Sequence, residues 1–305
     1  VRLNSGYDMP LLSFGTFDIK PAEVKPSIDY ALSVGYRHID AAALYANEAE
    51  VGEALADNIA RGVVTREELY ITTKCWPTCF RTVREACLAS LKRLRVDYLD
   101  QYLLHWPFAI KPKHAPDEIP THDPKDFEFD NVSLQHAWQQ IELLVDEGLV
   151  KSIGVSNWTV ALTHDLLTYA RIKPAVNQFE ASPYFPRNEL IKYLKSNDIV
   201  PVIYRVLFSP PASPDFPFQA KIQEDTAVLE LAQKYQKTPG QILINWGLTR
   251  GCSVPVKSVT PSRILENFEA QSFNLTEEEV EKLNHLPIHG SYNDTEVNFR
   301  LPLYA

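Results

Sequence analysis

Short apolar runs alternate along the chain with longer segments in which apolar residues recur every three or four positions. The runs cover residues 11–14, 37–40, 69–74, 98–105, 152–156, 175–179, 199–204 and 252–256. They are continuously apolar rather than alternating, the pattern of strands buried on both faces of a parallel sheet. The segments between them carry helical spacing, as in Val51, Ala54, Leu55 and Ile59, or Val83, Cys87, Leu91 and Leu94. Helices are predicted over 22–34, 48–61, 82–94, 133–147, 160–169, 187–197, 226–235, 239–249, 261–269 and 276–286. Gly148 stops one of them, Pro261 sits in the first turn of another, and Thr276 with Glu279 forms a capping box for the last.

Eight apolar strands, each followed by helix, favour an α/β fold of the (β/α)8 TIM-barrel type over an open sheet. No Gly-x-Gly-x-x-Gly follows the first run, so the fingerprint of an open dinucleotide fold is missing. The whole chain, 1–305, is expected to be one barrel domain. Residues 1–10 turn at Asn4-Ser-Gly6 and form a hairpin that plugs or caps it. The connections 106–131 and 209–225 are too long for turns and follow strands, on the face where barrel active sites lie. The tail, 287–305, carries Tyr292, Phe299, Leu301 and Tyr304 and is expected to pack on the barrel flank or to form a further pocket wall.

Composition narrows the classes. The 305 residues are 45% hydrophobic and 23% charged, enough for a large core. A net charge of -9 argues against nucleic acid or an anionic membrane as partner, while leaving room for a local basic pocket. No apolar run approaches the ~18 residues of a spanning helix, and no N-terminal apolar segment directs export, so a cytoplasmic protein is expected. The cysteines, Cys75, Cys79, Cys87 and Cys252, lack metal-ligand spacing and are read as reduced structural thiols, with no metal site.

The strand ends hold the candidate chemistry. In order they present Asp40 with Tyr45 just beyond, Lys74, His105, Ser156 with Asn157, Gln178 with Glu180, Tyr204, and Lys257 with Ser258. A phenol titrates near ~10, and an adjacent cation lowers that value. Lys74 supplies the cation, Asp40 holds it, and Tyr45 becomes a general acid towards a carbonyl oxygen that His105 orients. No side chain supplies hydride, so a cofactor is required. Lys257, Ser258, Thr260, the helix start behind them and Arg263 make an anion site, or else a plainly capped helix with solvated bases. Phe17, Trp76, Trp106 and the tail near Asn293 are candidate pocket walls. A barrel hydrolase using Asp40 and Glu180 lacks a paired-carboxylate pattern and leaves the basic cluster unexplained.

These stretches together resemble the aldo-keto reductase family across essentially the whole chain. The resemblance rests on Gly35-Tyr-Arg-His-Ile-Asp-Ala-Ala-Ala-Leu-Tyr45, Ile71-Thr-Thr-Lys74, Leu103-Leu-His-Trp-Pro107, Gly154-Val-Ser-Asn157 and Lys257-Ser-Val-Thr-Pro-Ser-Arg263-Ile-Leu-Glu-Asn267. The hairpin, Tyr45-Ala-Asn-Glu48 and Asn293-Asp294 look most similar to its fungal xylose (aldose) reductase branch. The family implies NADPH-dependent reduction of a small aldehyde or ketone, by a monomer or homodimer. It implies Asp40, Tyr45, Lys74 and His105 as the catalytic set. It implies cofactor contacts from Thr16, Phe17, Ser156, Asn157, Gln178, Tyr204 and Arg205. At the adenosine end it implies Glu224, Lys257, Ser258, Val259, Arg263, Glu266 and Asn267. Trp76, Trp106 and Asn293 would meet the substrate. Val259 stands where dual-cofactor relatives often carry Asn, which favours NADPH with weaker use of NADH. Arg205 replaces a small residue and either pairs with the cofactor's pyrophosphate or crowds it. The family also contains non-catalytic members, so an NADP-binding sensor or partner subunit is the alternative.

Overall fold

The structure, a computed structural model, describes residues 1–120, 128–207, 221–287, 290–291 and 295–303. The apolar runs form eight strands: β1 (Leu12–Gly15), β2 (His38–Asp40), β3 (Tyr70–Cys75), β4 (Leu99–Leu104), β5 (Val150–Ser156), β6 (Val176–Glu180), β7 (Val200–Tyr204) and β8 (Val254–Val256). Sequential strands pair in parallel, and β8 returns to pair with β1. At the remaining seam the Ile203 N–H donates to the Ser253 carbonyl at 2.8 Å, and the Ser253 N–H to the Pro201 carbonyl at 2.9 Å. The sheet thereby closes, through this short bridge, into the expected (β/α)8 barrel.

Helices α1 (Pro21–Val34), α2 (Glu48–Ala60), α3 (Val83–Leu94), α4 (Leu134–Asp146), α5 (Val160–Tyr169) and α6 (Asn188–Ser196) each follow a strand on the outside. Between β7 and β8 come α7 (Thr226–Tyr235) and α8 (Pro239–Thr249). After β8 come α9 (Pro261–Phe268), α10 (Glu277–Asn284) and a short tail helix, α11 (Thr295–Phe299). The capping box of α10 forms as expected, with Thr276 and Glu279 each bonded to the other's backbone. No described helix is long and apolar enough to cross a membrane.

Three differences from the sequence reading matter. β5 starts two residues early, because Val150 joins the ladder opposite Leu99. His105 lies just past β4, its N–H still bonded to the Cys75 carbonyl at 3.0 Å. The tail contains a helix that its short, mixed sequence does not signal, since five residues are too few to show a period.

The core lies between the strands and the helix ring, and the hairpin seals the N-terminal end. Leu3 and Met9 are buried against Tyr70, Leu103, Ala175, Val176 and Val202. On the outside, Gly52 lets α2 and α3 touch. A Cβ at that position would meet the Arg93 carbonyl oxygen at 2.2 Å, closer than any side chain tolerates. This contact brings the start of α2 within reach of α3, and the start of α2 steadies the loop that carries Tyr45.

Candidate active site

β2 is buried throughout and ends on Asp40. A single 3-10 turn, Ala43–Tyr45, carries Tyr45 back over the strand end, and Ala46 closes it in the left-handed region at φ 56°. Two buried side chains pin this loop. Asn47 donates to the carbonyls of Thr16 at 2.8 Å and Ile19 at 3.2 Å. Glu48 accepts from Thr73 Oγ1 at 2.5 Å, Ser90 Oγ at 3.2 Å and Arg93 Nε at 2.7 Å. Sequence reasoning assigned neither residue a role. The available signal was an acid at the start of a helix whose next apolar positions face the core.

Lys74, from β3, is fully buried, and its ammonium spends three donors on three acceptors. These are Asp40 Oδ1 at 2.7 Å, the Ala41 carbonyl at 2.8 Å and the Tyr45 hydroxyl at 3.1 Å. Gln178 Nε2, arriving from β6, donates to Asp40 Oδ2 at 2.7 Å. Both carboxylate oxygens are thus occupied, and Asp40 serves as the fixed base of an ammonium–phenol pair.

The electrostatics differ in one respect from the sequence reading. Burial opposes the Lys74 ammonium, but Asp40 and Tyr45 outweigh it together and hold its pKa above the ordinary value. Burial pushes the Tyr45 phenol up, and although Lys74 and Arg205 pull it down, the net direction is upward. The half-buried phenol therefore stays protonated through neutral pH, with Lys74 limiting the rise instead of reversing it.

His105 is the neutral member. Burial and then the Lys74 charge drive its pKa well below the usual imidazole value. Its Nδ1 is buried without a hydrogen-bond partner, which leaves Nε2 for a ligand in the cavity. Edge-on rings hold it: Tyr45 with centroids 6.0 Å apart and Trp76 at 5.2 Å. His38, near the barrel floor, is also depressed by burial. Both imidazoles stay neutral when folded and take a proton when unfolded. Stability is therefore full above pH ~6.5 and declines below it, by at most about 1.4 kcal/mol per pH unit for each. A thermal midpoint that falls from pH 7 to 5, less steeply in His38→Gln, is the expected result; a flat profile would contradict the burial argument.

Asp40, Tyr45 and His105 open onto a cavity of about 460 Å³. Ser156, Asn157, Gln178 and Tyr204 line one side of it. They are tied together: Ser156 Oγ donates to the Gln178 carbonyl at 2.9 Å, Asn157 Nδ2 to the His105 carbonyl at 2.9 Å, and the Tyr204 hydroxyl to Asn157 Oδ1 at 2.6 Å. Leu44, Trp76, Trp106 and Phe299 form an apolar wall, with the Trp106 and Phe299 rings 4.5 Å apart. Phe17, Arg205 and Lys257 complete the mouth. The wall from α11 resolves the two options for the tail in favour of the pocket, through Asn298 and Phe299. Asn293 lies outside the described residues.

Other candidates stand off the cavity. Thr16 is buried behind Asp40, its N–H and hydroxyl donating to the Asp40 carbonyl at 3.0 and 3.1 Å. Ser258, Val259 and Arg263 are gathered at the start of α9, beyond Lys257. That helix has no side-chain cap, and Arg263 is exposed on its first turn, so its first N–H groups remain open to an anion. Lys257 Nζ donates to the Asp18 carbonyl at 3.0 Å across the groove mouth. Glu266 accepts from Thr238 Oγ1 at 2.7 Å, Asn267 is buried, and Glu224 is exposed and paired with Lys221 at 2.9 Å.

Comparison with known proteins agrees with this geometry. The aldo/keto reductase family model matches residues 11–287. Aldo-keto reductase family 1 member A1 of Cricetulus griseus is 40% identical over 295 residues, 96% of this chain and 90% of that protein. The NADP-dependent D-sorbitol-6-phosphate dehydrogenase of Malus domestica is 40% identical over 284 residues, 92% of this chain and 91% of its own. The aldose reductase structure from Schistosoma japonicum superposes with a TM-score of 0.89 at 37% identity, covering 98% of this chain and 95% of that one. These animal and plant relatives establish the family without singling out the fungal xylose-reductase branch. The chain belongs to the aldo/keto reductase family and is an oxidoreductase of that class.

Proposed function

We propose that the protein reduces small aldehydes or ketones to alcohols with NADPH, using Tyr45 as the proton donor. One observation carries the reading: the Lys74 ammonium bonds Asp40 and the Tyr45 hydroxyl together, at a cavity that His105 also faces. The residues present fit a phosphorylated dinucleotide. Ser156, Asn157 and Gln178 offer amide and hydroxyl groups at one end of the cavity, and Tyr204 offers a ring. Beyond Lys257, the uncapped start of α9 with Ser258 and Arg263 suits a phosphate.

When bound, the nicotinamide cofactor supplies the hydride. Tyr45 and His105 Nε2 donate to the carbonyl oxygen, and Tyr45 delivers its proton as the oxygen gains charge. Lys74 steadies the phenolate that remains, and Asp40 and Gln178 keep Lys74 in place. The apolar wall of Leu44, Trp76, Trp106 and Phe299 excludes water from the reacting centre. In this reading the enzyme works in the cytoplasm as a monomer or homodimer, with NADH as the weaker cofactor. The likeness to the fungal branch adds pentoses to the substrates worth testing.

The test is NADPH oxidation, followed at the nicotinamide absorbance, against aldehydes, pentoses and keto esters, with NADH in parallel. Turnover is expected; intact NADPH binding without turnover on any of them would favour a non-catalytic cofactor-binding protein. Lys257→Ala and Arg263→Ala are each expected to weaken NADPH by roughly 10- to 100-fold, the worth of a charge-assisted bond, and NADH far less. Equal losses for both cofactors would remove the 2′-phosphate from this cluster.

A further inference from the structure

We infer, resting on the reductase reading, that Glu48 is a positioning residue for the proton donor: acting through the backbone, it fixes the distance between the Tyr45 hydroxyl and the Lys74 ammonium. The loop 41–48 is anchored at both ends on β3. At its start Asp40 lies opposite Thr72 in the ladder, and the Ala41 N–H donates to the Thr72 carbonyl at 2.8 Å. At its end Glu48 Oε1 accepts from Thr73 Oγ1 at 2.5 Å. Lys74 is the next residue along that strand. The carboxylate therefore ties the far end of the Tyr45 loop to the neighbour of the residue that Tyr45 must meet. Strand alternation turns Thr73 outward, toward α2 and α3, and Lys74 into the barrel. The anchoring bond and the catalytic contact thus lie on opposite faces of one short stretch of β3.

An acid in the first turn of a helix is favoured by the helix dipole even in water. Glu48 is instead only 2% exposed, and a carboxylate so placed needs partners. Thr73, Ser90 and Arg93 supply them. Arg93 also donates to Ser90 Oγ at 3.3 Å and to the Asp117 carbonyl at 3.0 Å, so the same guanidinium holds the long connection that begins at Trp106. One turn beyond Glu48, Gly52 lets α2 lie against the backbone of Arg93, which brings carboxylate and guanidinium together. A buried ion pair adds little net stability over apolar residues of the same size, but its bonds are directional. Apolar groups would fill the space and leave the end of the loop free to shift along β3. Such a shift falls first on the Lys74–Tyr45 contact, at 3.1 Å the longest of the ammonium's three bonds. A displacement of about 1 Å at a reacting group costs up to about 100-fold in rate.

The test starts from Thr73→Val, which keeps the shape of the side chain and removes only the hydroxyl that Glu48 accepts from. It is expected to lower kcat about tenfold, with KM for the carbonyl and NADPH affinity, read by protein fluorescence, each within about threefold of the unsubstituted protein. Thr73→Ser, which keeps the hydroxyl, is expected to hold kcat within about threefold. Glu48→Leu should lower kcat by about 10- to 100-fold and also lower the thermal midpoint, because it strands Arg93. Adding Arg93→Met removes the stranded charge and should restore the midpoint but not kcat. A kcat for Thr73→Val as high as that of Thr73→Ser overturns the proposal. So does a double variant that regains kcat together with its midpoint, which would make Glu48 a residue of stability alone. Equal losses of kcat and NADPH affinity also overturn it, since the residue would then act through the fold. If the unsubstituted protein turns over no carbonyl, the reductase reading fails and the positioning role falls with it, a result that none of the variants can mimic.

Discussion

Tyr45→Phe is expected to bind NADPH as the unsubstituted protein does and to lose turnover by about 10²- to 10⁴-fold, the range for a positioned general acid. The substitution removes one oxygen and leaves the ring. The phenylalanine ring can keep the edge-on contacts with Phe17, at 5.1 Å, and His105, at 6.0 Å. Lys74 keeps Asp40 and the Ala41 carbonyl as acceptors, so the ion pair survives. What disappears is the only hydroxyl, among the described residues, that touches both the Lys74 ammonium and the cavity. The comparison requires kcat with the best carbonyl of the panel and cofactor affinity by fluorescence. A kcat within threefold of the original would remove Tyr45 as the proton donor, and a parallel loss of NADPH binding would show that the residue acts through the fold.

Lys74→Met is expected to cost both activity and stability. The ammonium is fully buried against a carboxylate that is itself only 6% exposed. Removing one member of such a pair strands the other charge, at about 3–5 kcal/mol. Gln178 would still donate to Asp40, but a neutral amide cannot replace the lost charge. The phenol would also lose the cation that restrains its upward shift, so Tyr45 would become a poorer acid. The double variant Lys74→Met with Asp40→Leu separates the two effects, because replacing both charges by apolar groups of similar size removes the stranded carboxylate. Denaturant unfolding should find the double variant more stable than the single one, with both inactive. A single variant as stable as the unsubstituted protein would mean that Asp40 is not held as an ion pair. A double variant that regained turnover would end the assignment of Lys74 as the residue that tunes Tyr45.

The barrel was legible in the sequence because its signal is local. Continuous apolar runs bounded by helical periods mark strands buried on both faces, and eight of them in alternation leave few architectures. Asp40, Lys74 and Tyr204 were legible as strand-end residues for the same reason, since a polar group at the end of a buried run must face the barrel mouth. Other features were not local. Nothing near Gln178 indicates that its amide bonds Asp40, 138 residues away. The burial of Glu48 depends on Arg93 and Ser90 from the next helix. The direction of the Tyr45 shift depends on how much water the pocket walls remove, and those walls come from separate loops and the tail.

The sequence by itself determined the order and type of the elements, the family to which they belong, and the residue types delivered to the strand ends. The tertiary structure decided which of those residues meet. Barrel closure at the β7–β8 seam brings Tyr204, Arg205 and Lys257 to one cavity, and the buried Lys74 ammonium joins Asp40 to the Tyr45 hydroxyl. The reason is one of range. Hydrophobic period and turn chemistry act over a few residues and can be read along the chain, whereas hydrogen-bond partners, burial and charge coupling depend on distances that exist only once the barrel has closed.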